Sequence, residues 1–428
     1  MINIGLLGLG TVGSGVYKIM KKNHENIKAK VGTKVEIKKI LVRDKKKKRN
    51  LDINNKLITE DPAEIINNQE IDLIVELIGG ENPAHKYIIE ALKNKKSVVT
   101  ANKLVIAKYG NEILNLAEKN GVQISYEGSV AGGIPIVRPL KESLAANRIK
   151  EITGILNGTT NYILTKMTEE KKEFADVLET AQNKGYAESD PSSDIDGLDA
   201  AYKICILSSL AFETLIDVKS IYVEGIRNIS REDIEIADEL GYVIKLIAIG
   251  KQGKDGLDIR VHPSFVPKNH PLALVNNVYN AVYIHGDAVG DVMSHGKGAG
   301  QMPTGSAVVA DIIQAARNIN YKNGNNYFVS ARQDYKIKNI VEVKNKFYLR
   351  IKVNDKPGVM ANLAKVLGDN KVSLASVLQK NRLKPVVPLV LVTHPVKEKY
   401  LNKSLEELKS LEDVIEISSK IRVEGDNE

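Results

Sequence analysis

The sequence INIGLLGLGTVG, residues 2–13, joins an apolar run to a glycine-rich turn. Residues 2–7 are typical of a buried parallel strand, and the apolar positions after the turn recur at helical spacing. Between a strand and a helix, the three glycines of G-x-G-x-x-G allow a tight turn, a close approach of backbone to a pyrophosphate, and close helix–strand packing. The alternative is a glycine-rich turn in an ordinary βα unit. The pattern predicts a dinucleotide site that contains Gly8, Gly10, Thr11, Val12 and Gly13.

Composition limits the classes of protein that remain. The chain has 428 residues and a single cysteine, Cys205, which excludes an internal disulfide framework and a cysteine-cluster metal site. A reducing cytoplasm is the expected location. No stretch is apolar enough to span a bilayer, so we expect no membrane association. The net charge of +8 is spread along the chain without a recognition motif, so we expect no nucleic-acid partner.

Strand and helix patterns predict three folded parts. Residues 1–133 alternate strand and helix as a Rossmann-type doubly wound parallel sheet requires, and a helix at about 301–318 completes this dinucleotide-binding domain. Residues 134–300 contain longer amphipathic strands, which predict an α+β catalytic and oligomerisation domain. Residues 319–346 are polar and predict a linker. Residues 347–428 show the order βαββαβ of a ferredoxin-like domain.

The end of the second predicted strand bears on the choice of nicotinamide cofactor. NAD sites usually carry an acidic side chain there, and NADP sites carry an arginine for the 2′-phosphate. Arg43 favours NADP, while Asp44 leaves NAD open. The run KKKKR at 45–49 adds positive potential or is only a solvated loop. Further along, we expect Thr100, Lys103 and Gly300 to line the same cofactor cleft.

Residues 186–203 form the densest acidic cluster in the chain. A calcium-binding EF-hand fails because Lys203 falls where the loop needs a bidentate glutamate. A solvated acidic turn that caps a helix remains an alternative. Asp199 and Lys203 are four residues apart on one predicted helical face, so the carboxylate can hold the ammonium group. Glu188 and Asp194 are candidates to bind an amino group or hydroxyl of a small polar substrate.

Five separated motifs together resemble homoserine dehydrogenase, and the resemblance covers essentially the whole chain. They are GLLGLGTVG at 5–13, TANK at 100–103, NGTTNYIL at 157–164, the acidic run at 186–203 and GKGAG at 296–300. The segment DKPGV at 355–359 is similar to the start of an ACT-type regulatory domain. Two positions depart from the family pattern: Lys297 stands where arginine is common, and Gln301 replaces a commonly acidic residue.

The resemblance implies a reversible, NAD(P)-dependent interconversion of L-homoserine and L-aspartate 4-semialdehyde, a step of threonine and methionine biosynthesis. It implies that Lys203 moves the proton at the substrate oxygen and that Lys103 positions or polarises that oxygen. The residues that it implies for substrate binding are Glu188, Asp194 and Asp199, with Thr159 nearby.

The resemblance also implies a monovalent cation, usually sodium, and a regulatory mechanism. The matching cation ligands are the Glu127 side chain and the backbone carbonyls of Val130, Gly132 and Ile134. An ACT-like C-terminal region suggests allosteric inhibition by L-threonine and a homodimer or homotetramer. The competing hypothesis is a non-catalytic sensor that binds NADP(H) and an amino acid.

Overall fold

The computed structural model describes residues 1–321, 334–379 and 385–425. The chain divides into two compact units, of which the first comprises residues 1–152, 202–220 and 279–334 and the second residues 153–201, 221–278 and 335–428. Residues 322–333 of the predicted linker, and 380–384 and 426–428 of the predicted C-terminal domain, lie outside the described residues. Among the described residues, no helix combines the length and apolarity that crossing a bilayer demands.

Strands and helices are numbered here in chain order. The first twelve are β1 (Ile2–Leu7), α1 (Thr11–Lys22), α2 (His24–Val31), β2 (Val35–Leu41), β3 (Ile58–Thr59), α3 (Ala63–Ile66), β4 (Leu73–Glu76), α4 (Ala84–Lys93), β5 (Ser97–Thr100), α5 (Lys103–Asn120), β6 (Ile124–Ser125) and α6 (Val137–Lys141). The next ten are β7 (Ile149–Ile155), α7 (Gly158–Glu170), α8 (Phe174–Asn183), α9 (Ser192–Ile195), α10 (Leu198–Ala211), β8 (Tyr222–Val223), α11 (Arg231–Glu239), β9 (Tyr242–Gly253), β10 (Gly256–Pro267) and β11 (Tyr279–Gly286). The last nine are β12 (Gly290–Lys297), α12 (Gln301–Tyr321), β13 (Lys344–Asn354), α13 (Val359–Asp369), β14 (Leu374–Gln379), β15 (Val386–Thr393), β16 (Val396–Lys397), α14 (Glu398–Lys409) and β17 (Val414–Val423).

The first unit contains the predicted doubly wound sheet. Its strand order is β3-β2-β1-β4-β5-β6, and every neighbouring pair is parallel. This is the Rossmann order, in which the direction of winding reverses between β1 and β4. Ligands of such sheets bind at that reversal, beyond the carboxyl ends of the strands. The fold therefore places residues 8–13, directly after β1, where a dinucleotide is expected.

Helix α12 completes the core of this sheet, as the sequence predicts. Apolar side chains on α12, among them Val308 and Ile312, join the buried cluster that contains Val16 and Met20 of α1. The two helices approach closely because glycines meet at their contact. A Cβ added at Gly15 would lie 2.0 Å from the carbonyl oxygen of Gln301. The absence of a side chain at this position therefore sets the distance between α1 and α12.

The second unit contains a mixed sheet in the order β9-β10-β17-β13-β15-β14. The elements β13 to β17, apart from the two-residue β16, follow the predicted βαββαβ order, and their four long strands pair antiparallel. Helices α7 and α11 pack against β9. The strands β10 and β17 pair in parallel through Ser264 with Arg422 and Phe265 with Val423. The C-terminal strands thus continue the sheet of residues 242–267.

Buried ion pairs reinforce this junction. The Arg422 guanidinium donates to Glu398 at 2.7 Å and to Glu224 at 2.7 Å. The Arg350 guanidinium donates to Asp233 of α11 at 2.9 Å. Buried charges are tolerated only when they are paired and their hydrogen-bonding groups are satisfied. These pairs therefore fix the C-terminal strands and helices against residues 224–233.

We predict that Gly15→Ala lowers the free energy of unfolding by about 1–3 kcal/mol, because the added methyl group overlaps the Gln301 carbonyl. Gly110→Ala on α5 is the matched control, since its Cβ would meet no atom within 4 Å. The control should raise the free energy of unfolding by about 0.5–1 kcal/mol. Denaturant titration of the three proteins measures both effects. Equal stability of Gly15→Ala and the unsubstituted chain would contradict the close contact.

Candidate functional site

The glycine turn after β1 has the geometry that the sequence predicts. Gly8 has a φ of +102°, and a Cβ there would lie 2.7 Å from the Leu77 carbonyl oxygen. A Cβ at Gly13 would lie 2.2 Å from the Gly8 carbonyl oxygen, whereas one at Gly10 would meet nothing within 4 Å. Helix α1 begins at Thr11 without a side-chain cap or an acidic residue in its first turn. Its first N–H groups are therefore available for an anionic ligand.

The segment after β2 contains Arg43 and Asp44, the two residues that bear on the choice between NADP and NAD. The strand ends at Leu41, two residues before Arg43, which is exposed and has no hydrogen-bond or ionic partner in the part of the chain described. The Asp44 carboxylate accepts the Lys46 N–H at 2.7 Å, which closes its own turn. Arg49 donates to the Asp44 carbonyl at 2.8 Å. Arg43 is thus the cation at this position that remains able to meet a ligand phosphate.

A buried network positions the TANK segment at the end of β5. The Thr100 hydroxyl donates to the Glu76 carboxylate at 2.6 Å, and its oxygen accepts the Asn102 N–H at 3.0 Å. The Asn102 carboxamide caps α5 and donates to the Gly80 carbonyl at 2.7 Å. Burial raises the pKa of Glu76. Lys103, which is half-buried, is therefore the first residue of a helix with a fixed start.

Glu76 and Asn102 were not among the predicted site residues. The sequence signal for Glu76 is a carboxylate near the carboxyl end of the apolar run 71–78, which is unusual for a buried parallel strand. Asn102 lies where a helix start favours asparagine. Both residues hold the neighbouring Thr100 and Lys103 in place.

A second network joins the two ends of the acidic segment. The Asn157 carboxamide nitrogen donates to Asp194 at 2.7 Å and to Asp199 at 2.8 Å. Asp194 lies on the short helix α9, and Asp199 lies in the first turn of α10. Between them, Gly197 adopts a φ of +86°, and a Cβ at this position would meet the side chains of Val223 and Val261. The structure thus brings two of the three predicted substrate-binding carboxylates together.

The other two predicted substrate residues are Thr159, in the first turn of α7, and Glu188, on the loop between α8 and α9. The Thr159 hydroxyl donates to the Tyr186 carbonyl at 2.9 Å. Glu188 is exposed, and its backbone carbonyl accepts a hydrogen bond from Gln182 at 3.1 Å. These contacts fix the loop backbone and leave the Glu188 carboxylate facing solvent.

Helix α10 carries two buried charged residues that are four positions apart in sequence. Asp199 is 2% exposed and Lys203 is 8% exposed. Charged side chains are rarely buried without a partner or a chemical role. On the same helix, burial raises the pKa of the Cys205 thiol to about 12. Cys205 donates to the Ile216 carbonyl and packs in the core, so it is unsuited to act as a nucleophile.

The residues implied for a cation form an irregular turn after β6. Ala131 and Gly132 have φ values of +53° and +47°. A Cβ at Gly132 would lie 2.4 Å from the Gly298 carbonyl oxygen, so this turn packs against the GKGAG segment. In the part of the chain described, the carbonyls of Val130, Gly132 and Ile134 accept no backbone hydrogen bond.

The Glu127 side chain has a structural task that the sequence did not reveal. One carboxylate oxygen accepts the N–H groups of Ile136 and Val137 at 2.6 and 2.8 Å, and the other accepts the Arg138 N–H at 2.8 Å. The Glu127 N–H itself donates to Asp311, whose pKa is raised to about 7 by burial and by the Glu127 charge. Glu127 therefore fixes the start of α6. Its second oxygen, with a single bond, keeps a free acceptor position.

The described residues contain no group of three or more histidine, cysteine, aspartate or glutamate side chains arranged to hold a metal ion. A site of backbone carbonyls with one carboxylate is a different class, because hard monovalent cations take oxygen ligands from the main chain. The ligands that the family resemblance implies at the turn of residues 130–134 are of that second class.

Two models of one protein family match separate parts of the chain. Residues 8–127 match the family model described as "Homoserine dehydrogenase, NAD binding domain", and residues 135–313 match the model "Homoserine dehydrogenase". The homoserine dehydrogenase of Bacillus subtilis is 42% identical over 426 residues, which cover 99% of this chain and 98% of the relative.

Solved structures show the same relationship. A homoserine dehydrogenase from Thiobacillus denitrificans superposes with a TM-score of 0.92 at 40% identity and covers 99% of this chain and 98% of its own. A hyperthermophilic archaeal homoserine dehydrogenase in complex with NADPH gives a TM-score of 0.63 at 31% identity over 73% of this chain and 97% of its own. With full-length relatives at this identity, and a glycine turn and Rossmann sheet to bind a nicotinamide cofactor, the chain belongs to the homoserine dehydrogenase family of oxidoreductases.

Proposed function

We propose that this protein catalyses the reversible, nicotinamide-dependent interconversion of L-homoserine and L-aspartate 4-semialdehyde in the cytoplasm, as a step toward threonine and methionine. The observation that carries the proposal is the buried pair Asp199 and Lys203 on α10, in a chain related over its whole length to homoserine dehydrogenases. A sensor that only binds NADP(H) and an amino acid has no need of a buried proton-transfer group.

Proton transfer at the substrate oxygen is assigned to Lys203. When homoserine is oxidised, the hydroxyl proton passes to the neutral Lys203 amine, and in the reverse direction the ammonium returns it to the aldehyde oxygen. A bound nicotinamide would supply or accept the hydride at the carbon that carries this oxygen. Desolvation favours the neutral form of a lysine, and a carboxylate such as Asp199 opposes that effect. The two influences together set the protonation state that proton transfer requires.

Substrate binding is assigned to the carboxylates of the acidic segment. Glu188, Asp194 and Asp199 bind and orient the amino and hydroxyl groups of the substrate, and Thr159 lies on the adjoining turn. Lys103, at the start of α5, positions or polarises the reacting oxygen. Fixed donors and charges of this kind stabilise charge that develops during the reaction.

NADP is the proposed cofactor, and NAD is the alternative. Gly8, Gly10, Thr11, Val12 and Gly13 hold the pyrophosphate, with Thr100, Lys103 and Gly300 along the remainder of the cofactor. Arg43 supports a 2′-phosphate because its guanidinium is exposed and unpaired in the part of the chain described. The archaeal relative solved with NADPH supports the same choice.

A monovalent cation, sodium, is proposed at the turn after β6. The carbonyls of Val130, Gly132 and Ile134 and the remaining acceptor position of Glu127 suit such an ion. A bound cation would compensate the negative ends of the carbonyl dipoles in this turn, where Ala131 and Gly132 have positive φ values.

The C-terminal residues 347–428 are proposed to be an ACT-type regulatory domain that binds L-threonine and inhibits the enzyme. The βαββαβ order of β13 to β17 supports this assignment. A homodimer or homotetramer is proposed as the functional assembly, since most soluble oligomers are symmetric assemblies of identical chains.

The first test is turnover. Purified protein with L-homoserine and NADP should produce reduced nicotinamide, measured by its absorbance. Lys203→Ala should lower kcat by about 10²–10⁴-fold, because the proton-transfer group is lost. Lys119→Ala, on the exposed last turn of α5, is the control and should leave kcat unchanged. Binding of both ligands without turnover by the unsubstituted chain would favour the sensor instead.

The second test addresses cofactor choice. Arg43→Ala should raise the KM for NADP by about tenfold or more and leave the KM for NAD nearly unchanged, since a charge-assisted contact to the 2′-phosphate is lost. Lys47→Ala, in the adjacent exposed run, is the matched control. Equal effects of Arg43→Ala on both cofactors would refute the role of Arg43.

The third test addresses regulation. Initial rates at subsaturating homoserine should fall as L-threonine is added, while L-serine at the same concentration should have a much smaller effect. Inhibition that homoserine overcomes at saturation would place threonine in the substrate site rather than in residues 347–428. Rates independent of threonine would contradict the proposed effector.

A further inference from the structure

Asn157 uses all of its side-chain hydrogen-bonding groups. Its carboxamide oxygen accepts the Thr160 N–H at 2.8 Å and the Thr160 hydroxyl at 3.0 Å, which caps the start of α7. Its nitrogen donates one N–H to Asp194 at 2.7 Å and the other to Asp199 at 2.8 Å. The side chain is 4% exposed. Because a backbone N–H must meet the oxygen, the orientation of the amide is fixed and its two donors face the carboxylates.

The two carboxylates are close enough to repel each other. Both contacting oxygens bond to the same nitrogen, so they lie no more than about 5.5 Å apart, the sum of the two bond lengths. An N–H group donated to each oxygen offsets part of this repulsion. Asn157 therefore holds the carboxylate of the partly buried Asp194 beside that of the buried Asp199.

We propose that Asn157 is a positioning residue for the reaction, which holds the carboxylates of Asp194 and Asp199 at a fixed separation so that they bind the cationic amino group of the substrate. This inference rests on the proposed function. The Asn157 side chain acts through the two carboxylates and is assigned no contact with the reacting atoms.

The cap and the carboxylate contacts of Asn157 are separable by substitution. Asn157→Ser keeps a side-chain oxygen that can cap α7, because serine is as good a helix cap as asparagine. The same substitution removes both N–H donors to the carboxylates. Asn157→Asp keeps the size and the capping oxygen but places a third negative charge beside Asp194 and Asp199. A purely structural role predicts little change for Asn157→Ser, since serine retains the cap.

The experiment measures kcat and the KM for homoserine, together with thermal unfolding. Asn157→Ser should keep its unfolding temperature within a few degrees and raise the KM for homoserine by about 10- to 100-fold, with the KM for NADP unchanged. Asn157→Asp should show a larger loss than Asn157→Ser. Asn339→Ser, at a helix cap remote in sequence from the acidic segment, is the control and should match the unsubstituted chain.

The outcomes distinguish the role of Asn157 from the proposed function on which it rests. Absence of homoserine turnover in the unsubstituted chain would overturn both. Turnover by the unsubstituted chain, with an unchanged KM for homoserine in Asn157→Ser, would overturn the role of Asn157 alone. An equal rise in the KM values for homoserine and NADP would also overturn it, because a general structural defect affects both ligands.

Discussion

A carboxylate that is removed from water must be given hydrogen-bond donors, and this constraint organises much of the protein. Glu76 receives the hydroxyl of Thr100, and Glu127 receives three backbone N–H groups. Asp233 receives a guanidinium, a tyrosine hydroxyl and a serine hydroxyl. In each case the donor belongs to a different segment from the acceptor or to the start of a helix. Satisfying the acid therefore also fixes the position of a segment of backbone.

The same constraint explains why asparagine is prominent around the candidate site. Asn102 and Asn157 each cap a helix with the carboxamide oxygen and donate elsewhere with the nitrogen. An aspartate or serine caps a helix as well but lacks the two N–H donors. Asparagine thus joins the start of a helix to a second polar group in one residue. Helix α5 begins at Lys103, directly after Asn102, and helix α7 begins directly after Asn157. The two carboxamides therefore fix where these helices start.

The parts of the fold that depend on local patterns were predictable, and those that depend on distant partners were not. The G-x-G-x-x-G turn, the parallel sheet and the βαββαβ order follow from periodicity and glycine spacing. The bonds of Glu127 to residues 136–138 and of Asn157 to Asp199 left no such signal, because a single polar residue does not show which donor it will meet. The pairing of β10 with β17 joins residues far apart in sequence, and neither strand pattern specifies its neighbour. The roles of Lys103, Lys203, Glu188 and Asp194 remain predictions.

The junction between β10 and β17 changes how the C-terminal residues are best regarded. They are not joined to residues 242–267 by a linker alone, because β17 pairs with β10 and Arg422 neutralises Glu224 and Glu398. A chain cut before residue 347 would leave β10 unpaired at Ser264 and Phe265, beyond its pairing with β8, and beside the unneutralised Glu224 carboxylate. Exposed edges of this kind template aggregation between chains. The proposed effector response is therefore better separated from the proposed catalysis by single substitutions on the outer faces of β14 and α13 than by truncation.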